Sequence, residues 1–249
     1  ELLEAWAEGG SAIDVPVELL GGGGERVGNY RLLRRLGEGG MGVVWLARRD
    51  DDVFHKRVAI KLVKRGMDSA LILRRFARER QVLADLDHPN VARLLDGGSA
   101  DDDRPYLVME YCDGPPIDVH ARDRKLGLRE RVALMAEVCA GVASAHRMGI
   151  VHRDLKPANV LVDGQRGPRV LDFGIAKLIG EDDPESLLTL TGQRLLTPRN
   201  ASPEQVDGRP VGPATDVHAL GILLYELCTD RSPLELEGAS PARLAEIVR

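Results

Sequence analysis

The stretch Val151-His152-Arg153-Asp154-Leu155-Lys156-Pro157-Ala158-Asn159 places a carboxylate, a cation and an amide oxygen within six residues, Asp154 to Asn159. Thirteen residues after Asn159 comes Asp172-Phe173-Gly174. An amide and an acid at this separation converge on one metal ion if the chain folds back as a hairpin. Val160-Leu161-Val162 and Arg169-Val170-Leu171, parted by a turn at Asp163-Gly164, supply its two strands. The chemistry predicted is phosphoryl transfer with Mg²⁺. Such a reaction needs hard oxygen ligands on the metal, positive charge near the moving group, and a carboxylate facing the attacking hydroxyl.

Working towards the N-terminus, Gly37-Glu38-Gly39-Gly40-Met41-Gly42 lies between two β-type runs, Tyr30 to Leu36 and Val43 to Arg48. A dinucleotide-binding turn has similar glycines but is followed at once by a helix. Here Val43-Val44-Trp45-Leu46-Ala47 continues as a strand, so the glycines sit at a hairpin tip. Backbone N–H groups there can approach phosphate oxygens. Arg57 to Val63 is a third strand, in which Lys61 is the single cation of an apolar run. A buried lysine requires a partner. Residues 68–86 carry a helical pattern that puts Glu79 on the inner side. His88-Pro89-Asn90 is a turn. Val91 to Leu95 and Tyr106 to Met109 are the next strands, joined by the acidic loop Asp101-Asp102-Asp103.

Towards the C-terminus, Leu128 to Met148 is amphipathic, with apolar residues at Leu128, Val132, Met135, Val138, Cys139, Val142 and Ala145, and Gly149 ends it. Residues 175–199 are polar and irregular. A helix opening at Asp216 and running to Cys228 is apolar on nearly every side and belongs inside a lobe.

Together these motifs resemble the bacterial, eukaryotic-like serine/threonine protein kinases, over roughly residues 29–249. The carriers are H-R-D-L-K-P-A-N at 152–159, D-F-G at 172–174, the G-x-G-x-x-G turn, V-A-I-K ending at Lys61, and Ser202-Pro203-Glu204 closing an activation segment. The resemblance implies an α+β fold in two lobes: a small antiparallel sheet with one helix, about 29–110, and a mostly helical large lobe, about 114–249, whose last helices are missing. Residues 1–28, with Gly21 to Gly24, read as an extension and linker.

The resemblance also implies ATP with Mg²⁺ (or Mn²⁺) in the cleft. Asp154 handles the hydroxyl proton, Lys156 balances charge on the moving phosphoryl group, and Lys61, oriented by Glu79, holds phosphates. Asn159 and Asp172 bind the metal. Gly37, Glu38, Gly39, Gly40, Met41 and Gly42 cover the phosphates. Val44 and Ala59 pack above the adenine and Leu161 below it. Met109 is the gatekeeper, and the backbones of Glu110 and Cys112 read the adenine edge. Asp216 holds the catalytic loop. Thr189 and Thr191 are expected sites of autophosphorylation, which implies self-association, and Thr197 matches the threonine that bonds the catalytic pair. Asn200 departs from the usual Tyr and His218 from a usual Tyr or Trp, which puts the peptide-docking detail in question. Glu204 matches an acid whose arginine partner would lie beyond Arg249, so it is expected to lack that partner. The expected substrate is a protein Ser or Thr. A small-molecule phosphotransferase on the same fold and a pseudokinase scaffold are the rivals. Lys156 and the segment from Thr197-Pro198 to Ser202-Pro203-Glu204 oppose the first; the presence of Lys61, Asp154 and Asp172 opposes the second.

The totals agree. A chain of 249 residues with 43% hydrophobic and 29% charged residues suits one large globular unit. A net charge of −5 argues against nucleic acid. Cys112, Cys139 and Cys228 are far apart and read as reduced packing residues. No apolar run is long enough to span a bilayer, and a cytoplasmic location is expected for this region. The chain opens at Glu1 without Met and reads as an excerpt; relatives often carry repeat or membrane segments beyond it.

Overall fold

The structure, a computed structural model, describes residues 24–39, 42–50, 56–64, 82–173, 200–234 and 241–248. Six strands form one antiparallel sheet: β1 (Arg26–Val27), β2 (Tyr30–Gly39), β3 (Gly42–Arg49), β4 (Arg57–Val63), β5 (Leu94–Ser99) and β6 (Pro105–Glu110), in the order β1-β2-β3-β4-β6-β5. Strand β4 is central and buried along nearly all its length, as its continuous apolar run requires. Side chains alternate across a strand. Val58, Ile60 and Leu62 therefore join Leu32, Ala47, Tyr106 and Val108 in one cluster. Ala59 and Val63 face the other way, into a larger cluster with Leu107 and Met109 that continues into the helices. Lys61 belongs by alternation to this second face, which looks onto the cleft.

The rest of the chain supplies α1 (Ile117–Asp123), α2 (Leu128–Arg147), a 3₁₀ turn at Pro157–Asn159, the hairpin β7 (Val160–Asp163) and β8 (Gly167–Val170), α3 (Pro203–Asp207), α4 (Pro213–Thr229) and α5 (Pro241–Val248). In α2 the Glu130 carboxylate accepts from the Gly127 N–H at 2.7 Å, closing the first turn. Gly149, at φ 73°, ends the helix in the left-handed conformation glycine tolerates. Met135, Val138, Val142 and Ala145 face the core and pack with Leu223 and Leu227 of α4.

Four expectations need correction. The sheet begins at Arg26, inside the stretch read as linker, because Arg26 and Val27 pair with Arg31 and Tyr30. No strand runs from Val91 to Leu95. Val91 instead bridges Val170 in parallel, the Ala92 N–H donates to the Val170 carbonyl at 2.9 Å, and β5 starts only at Leu94. Helix α2 uses its apolar stripe only from Met135 on: Leu128 and Val132 are exposed, and Cys139, turned about 100° from Val138, is exposed too, so of the three free thiols only Cys112 is a buried packing residue. Finally, α4 is not buried all round. Ala219, Ile222, Leu223 and Leu227 face the core, whereas Val217, Leu224 and Tyr225 are exposed. Among the described residues no helix is long and apolar enough to cross a membrane.

Candidate active site

The β7–β8 hairpin brings the predicted ligands together. Its register pairs Val160 with Val170, and one step beyond it the Leu171 N–H donates to the Asn159 carbonyl at 2.9 Å. Asn159 and Asp172 thus emerge from the same end of the hairpin. Asp163 Oδ1 accepts from the Gln165 and Arg166 N–H groups, which sets the reversal at 164–166.

The catalytic-loop stretch is bonded at almost every residue. The Asp154 carboxylate accepts from Lys156 Nζ at 2.7 Å and from Asn159 Nδ2 at 3.2 Å, and the same amide nitrogen reaches the Asp154 carbonyl at 2.7 Å. His152 is buried. Its Nε2 donates to the Leu171 carbonyl at 2.7 Å, its Nδ1 accepts from the Asp154 N–H at 3.2 Å, and its ring meets Phe173 edge-on at 4.8 Å. Beneath lies Asp216, fully buried. Its carboxylate accepts the N–H groups of His152 and Arg153, each at 2.8 Å, and the Nε2–H of His146 at 2.7 Å. The predicted role of Asp216 as an acid under the loop therefore has its geometry. Arg153 and Asp172 adopt φ of 74° and 61°, uncommon for residues with a Cβ.

Lys61, 8% exposed, extends from β4 to Asp172 Oδ2 at 2.7 Å. Glu79, its expected partner, lies outside the described residues, as do Gly40, Met41, Gly174, Thr189, Thr191 and Thr197. The described glycines of the turn divide. A Cβ on Gly37 or Gly39 would meet nothing within 4 Å, whereas one on Gly42 would lie 2.2 Å from the Leu62 carbonyl oxygen. Gly42 is needed by the sheet; Gly37 and Gly39 leave open space where a ligand's phosphates are expected. Glu38 pairs with Arg35 and Lys64.

Met109 ends the buried part of β6 and lines a small cavity with Leu83, Leu86, Leu107, Asp172 and Phe173. The Glu110 N–H is already committed to the Arg93 carbonyl at 2.9 Å. The Glu110 side chain matters as well, although only its backbone was expected to: it pairs with Arg166 and with buried Arg169, whose Nη1 also donates to the Val91 carbonyl. Cys112 is buried, and burial pushes its thiol up to about 12. Val44 and Leu161 are half-buried and Ala59 is buried.

Glu204, expected to lack its arginine partner, is bonded within the chain by another residue: Thr215 Oγ1 donates to it at 2.6 Å, and this bond is the main reason its carboxyl sits below the usual range. Asn200 is buried, and among the described residues neither its Nδ2 nor His218 Nε2 has a hydrogen-bond partner. The sequence reading missed three contributors. His146 could have been found as a histidine in the last turn of α2. Leu36, an apolar residue directly before the glycines, is half-buried against the same cluster as Val44. Arg169 is a lone cation in an apolar run, the signal already used for Lys61.

The donor set suits a hard cation. Asn159 spends its Nδ2 on Asp154, so Oδ1 is the atom it could offer a cation, and Asp172 meets Lys61 through one oxygen, Oδ2. Two oxygen ligands fit Mg²⁺ or Mn²⁺, which keep water and phosphate oxygens in their shells. Among the described residues no group of three or more His, Cys, Asp or Glu side chains gathers to form an all-protein metal cage.

A family model described as "Protein kinase domain" matches residues 30–247. The chain is 38% identical over 220 residues to the serine/threonine-protein kinase PrkC of Bacillus subtilis, covering 87% of this chain and 33% of that protein. It is 37% identical over 222 residues to the serine/threonine-protein kinase PknB of Mycolicibacterium smegmatis, covering 87% and 34%. The chain thus spans about a third of the length of these relatives. Among solved structures, the crystal structure of the Mycobacterium tuberculosis PknI kinase domain superposes with a TM-score of 0.66 at 28% identity, covering 90% of this chain and 84% of that one.

Proposed function

The chain belongs to the protein kinase domain family, and on that basis we propose that it transfers the γ-phosphoryl group of ATP to serine and threonine hydroxyls of proteins, in a signalling role. The observation that carries this reading is the pairing of Asp154 with Lys156 and Asn159 at the same hairpin end that presents Asp172 to Lys61. Protein kinases generally use ATP and a divalent metal. When bound here, Mg²⁺ would neutralise charge on the β- and γ-phosphates, with Asn159 and Asp172 as its protein ligands.

The chain's own residues do the positioning. Asp154, held by its two neighbours, faces the acceptor hydroxyl and takes or orients its proton. Lys156 supplies positive charge beside the transferring group. Lys61, with Glu79, grips the α- and β-phosphates, and Gly37 to Gly42 close over them with backbone N–H groups. Leu36, Val44 and Ala59 pack on one side of the adenine and Leu161 on the other. The Glu110 carbonyl and the Cys112 N–H bond its edge. Transfer between two copies at Thr189 or Thr191 belongs to the same reading, and a phosphate there would pair with Arg153.

The test is incubation of the chain with ATP and Mg²⁺, followed by mass spectrometry for new phosphosites, beside the Asp154→Asn variant. New phosphoserine or phosphothreonine in the parent and none in the variant is the expected result. ATP binding without transfer in either would leave a binding module and sink the reading.

A further inference from the structure

We propose that Gln205 is a positioning residue for Asp154, acting through the Arg153 carbonyl. The proposal rests on the reading in which Asp154 is the base. Gln205 lies in α3, the short helix after Ser202, and nothing in its sequence context marks it as part of the site.

Its side-chain amide is used at both ends. Oε1 accepts from the Ser202 N–H at 3.1 Å and from the Ser202 hydroxyl at 3.4 Å, while Nε2 donates to the Arg153 carbonyl at 2.8 Å. Only this orientation satisfies all three, since an N–H needs an acceptor and a carbonyl needs a donor. One amide therefore joins the start of α3 to the residue before the candidate base, 52 positions away in the chain.

Arg153 is where such a bond has most effect. Its φ of 74° is disfavoured for a side chain with a Cβ, so the conformation has to be held from outside. The Asp216 carboxylate holds the Arg153 N–H at 2.8 Å and fixes the peptide before the residue. The peptide after it, Arg153–Asp154, is fixed at its oxygen by Gln205. With both peptides pinned, the direction in which Asp154 leaves the backbone is determined. With the Gln205 bond removed, the second peptide keeps only the 3.2 Å bond from the Asp154 N–H to His152 Nδ1, and the carboxylate shifts with the loosened peptide. A displacement of about 1 Å in a catalytic group can cost roughly a hundredfold in rate.

The competing account is that Gln205 only caps α3 through Ser202. Gln205→Glu separates the two. A glutamate at this position keeps the capping acceptor and is favoured near a helix start, but it presents oxygen, not N–H, to the Arg153 carbonyl. Gln205→Ala removes all three bonds. We measure transfer from ATP to casein, thermal unfolding, and amide hydrogen exchange at Arg153 and Asp154 for the parent and both variants of the full chain.

The expected result for Gln205→Glu is a kcat lowered roughly 10- to 100-fold and a KM for ATP within about twofold of the parent. Its unfolding midpoint should be unchanged or higher, and exchange at Arg153 and Asp154 faster by about tenfold. Gln205→Ala should lose a similar factor in kcat and also unfold earlier. Parental kcat in Gln205→Glu, or a kcat loss matched by a fall in its unfolding midpoint, assigns Gln205 to capping and overturns the proposal. The exchange measurement decides the coupling on its own terms: a parent that transfers no phosphate defeats the kinase reading, while unchanged exchange in Gln205→Glu defeats this one.

Discussion

The floor and the roof of the cleft are built on opposite plans. The floor, 152–172, is crowded: Asp154, Asn159, His152 and the Arg153 backbone each bond a neighbour, and Asp216 anchors the whole from below. The roof, at Gly37 and Gly39, is defined by what is missing, since among the described residues nothing lies within 4 Å of a Cβ placed there. A catalytic group has to be in place before its substrate arrives, and the protein's own bonds do that. A phosphate cradle has only to leave room and present N–H groups, and glycine does that.

The most severe test of this contrast removes the floor's anchor. Asp216→Ala strips the acceptor from the backbone N–H groups of His152 and Arg153 and from His146 Nε2–H, and should cost about 3–5 kcal/mol, read as a shift in urea unfolding. A shift under about 1 kcal/mol would mean that the floor is not held from Asp216. Next, Asp154→Asn keeps the shape of the floor but changes its chemistry. Phosphoryl transfer should fall by at least ~100-fold while ATP affinity stays nearly intact, and equal turnover would sink the assignment.

The glycine turn then divides the roof itself. Gly42→Ala should destabilise by about 1–3 kcal/mol, because its Cβ would collide with the Leu62 carbonyl. Gly39→Ala should leave stability within about 0.5 kcal/mol yet raise the KM for ATP several-fold. If both glycines behave alike, the roof is not organised by vacancy. The smallest effect belongs where roof and floor meet. Arg166, with its side chain 55% exposed, is the outer arm of the pair that grips Glu110, so Arg166→Ala should change stability by less than about 1 kcal/mol. A larger loss would show that the outer arm shares the work of buried Arg169.

The floor was the more legible of the two regions, because local chemistry determines it. The spacing from Asn159 to Asp172 foretold a hairpin, and the single cation in the β4 run foretold a buried lysine. What escaped depended on contacts made across the fold. The side chain of Glu110 looked dispensable until Arg166 and Arg169 were placed beside it. Glu204 looked orphaned because Thr215, eleven residues on, has no local signal marking it as a donor. The strand expected at Val91 to Leu95 carries a good β pattern, but its backbone is claimed by Val170, and tertiary pairing overrides propensity. The exposed side of α4 shows the same limit: apolar periodicity says which residues can be buried, not how many neighbours arrive to bury them.

The pairing of 90–92 with 168–170 has a mechanical consequence. Val170 donates its N–H to the Asn90 carbonyl and accepts from Ala92, while Arg169 reaches the Val91 carbonyl and the Asn90 amide nitrogen bonds the Pro168 carbonyl. These bonds join the strand lead-in of the sheet to the hairpin that carries Asn159 and Asp172. A displacement of the sheet that leaves them intact has to be a rotation about that line and cannot be a slide along it. The line acts as a fulcrum. Val91 and Ala92, on that line, also line the cavity with Met109 and Phe173, so a rotation about it would displace the cavity least.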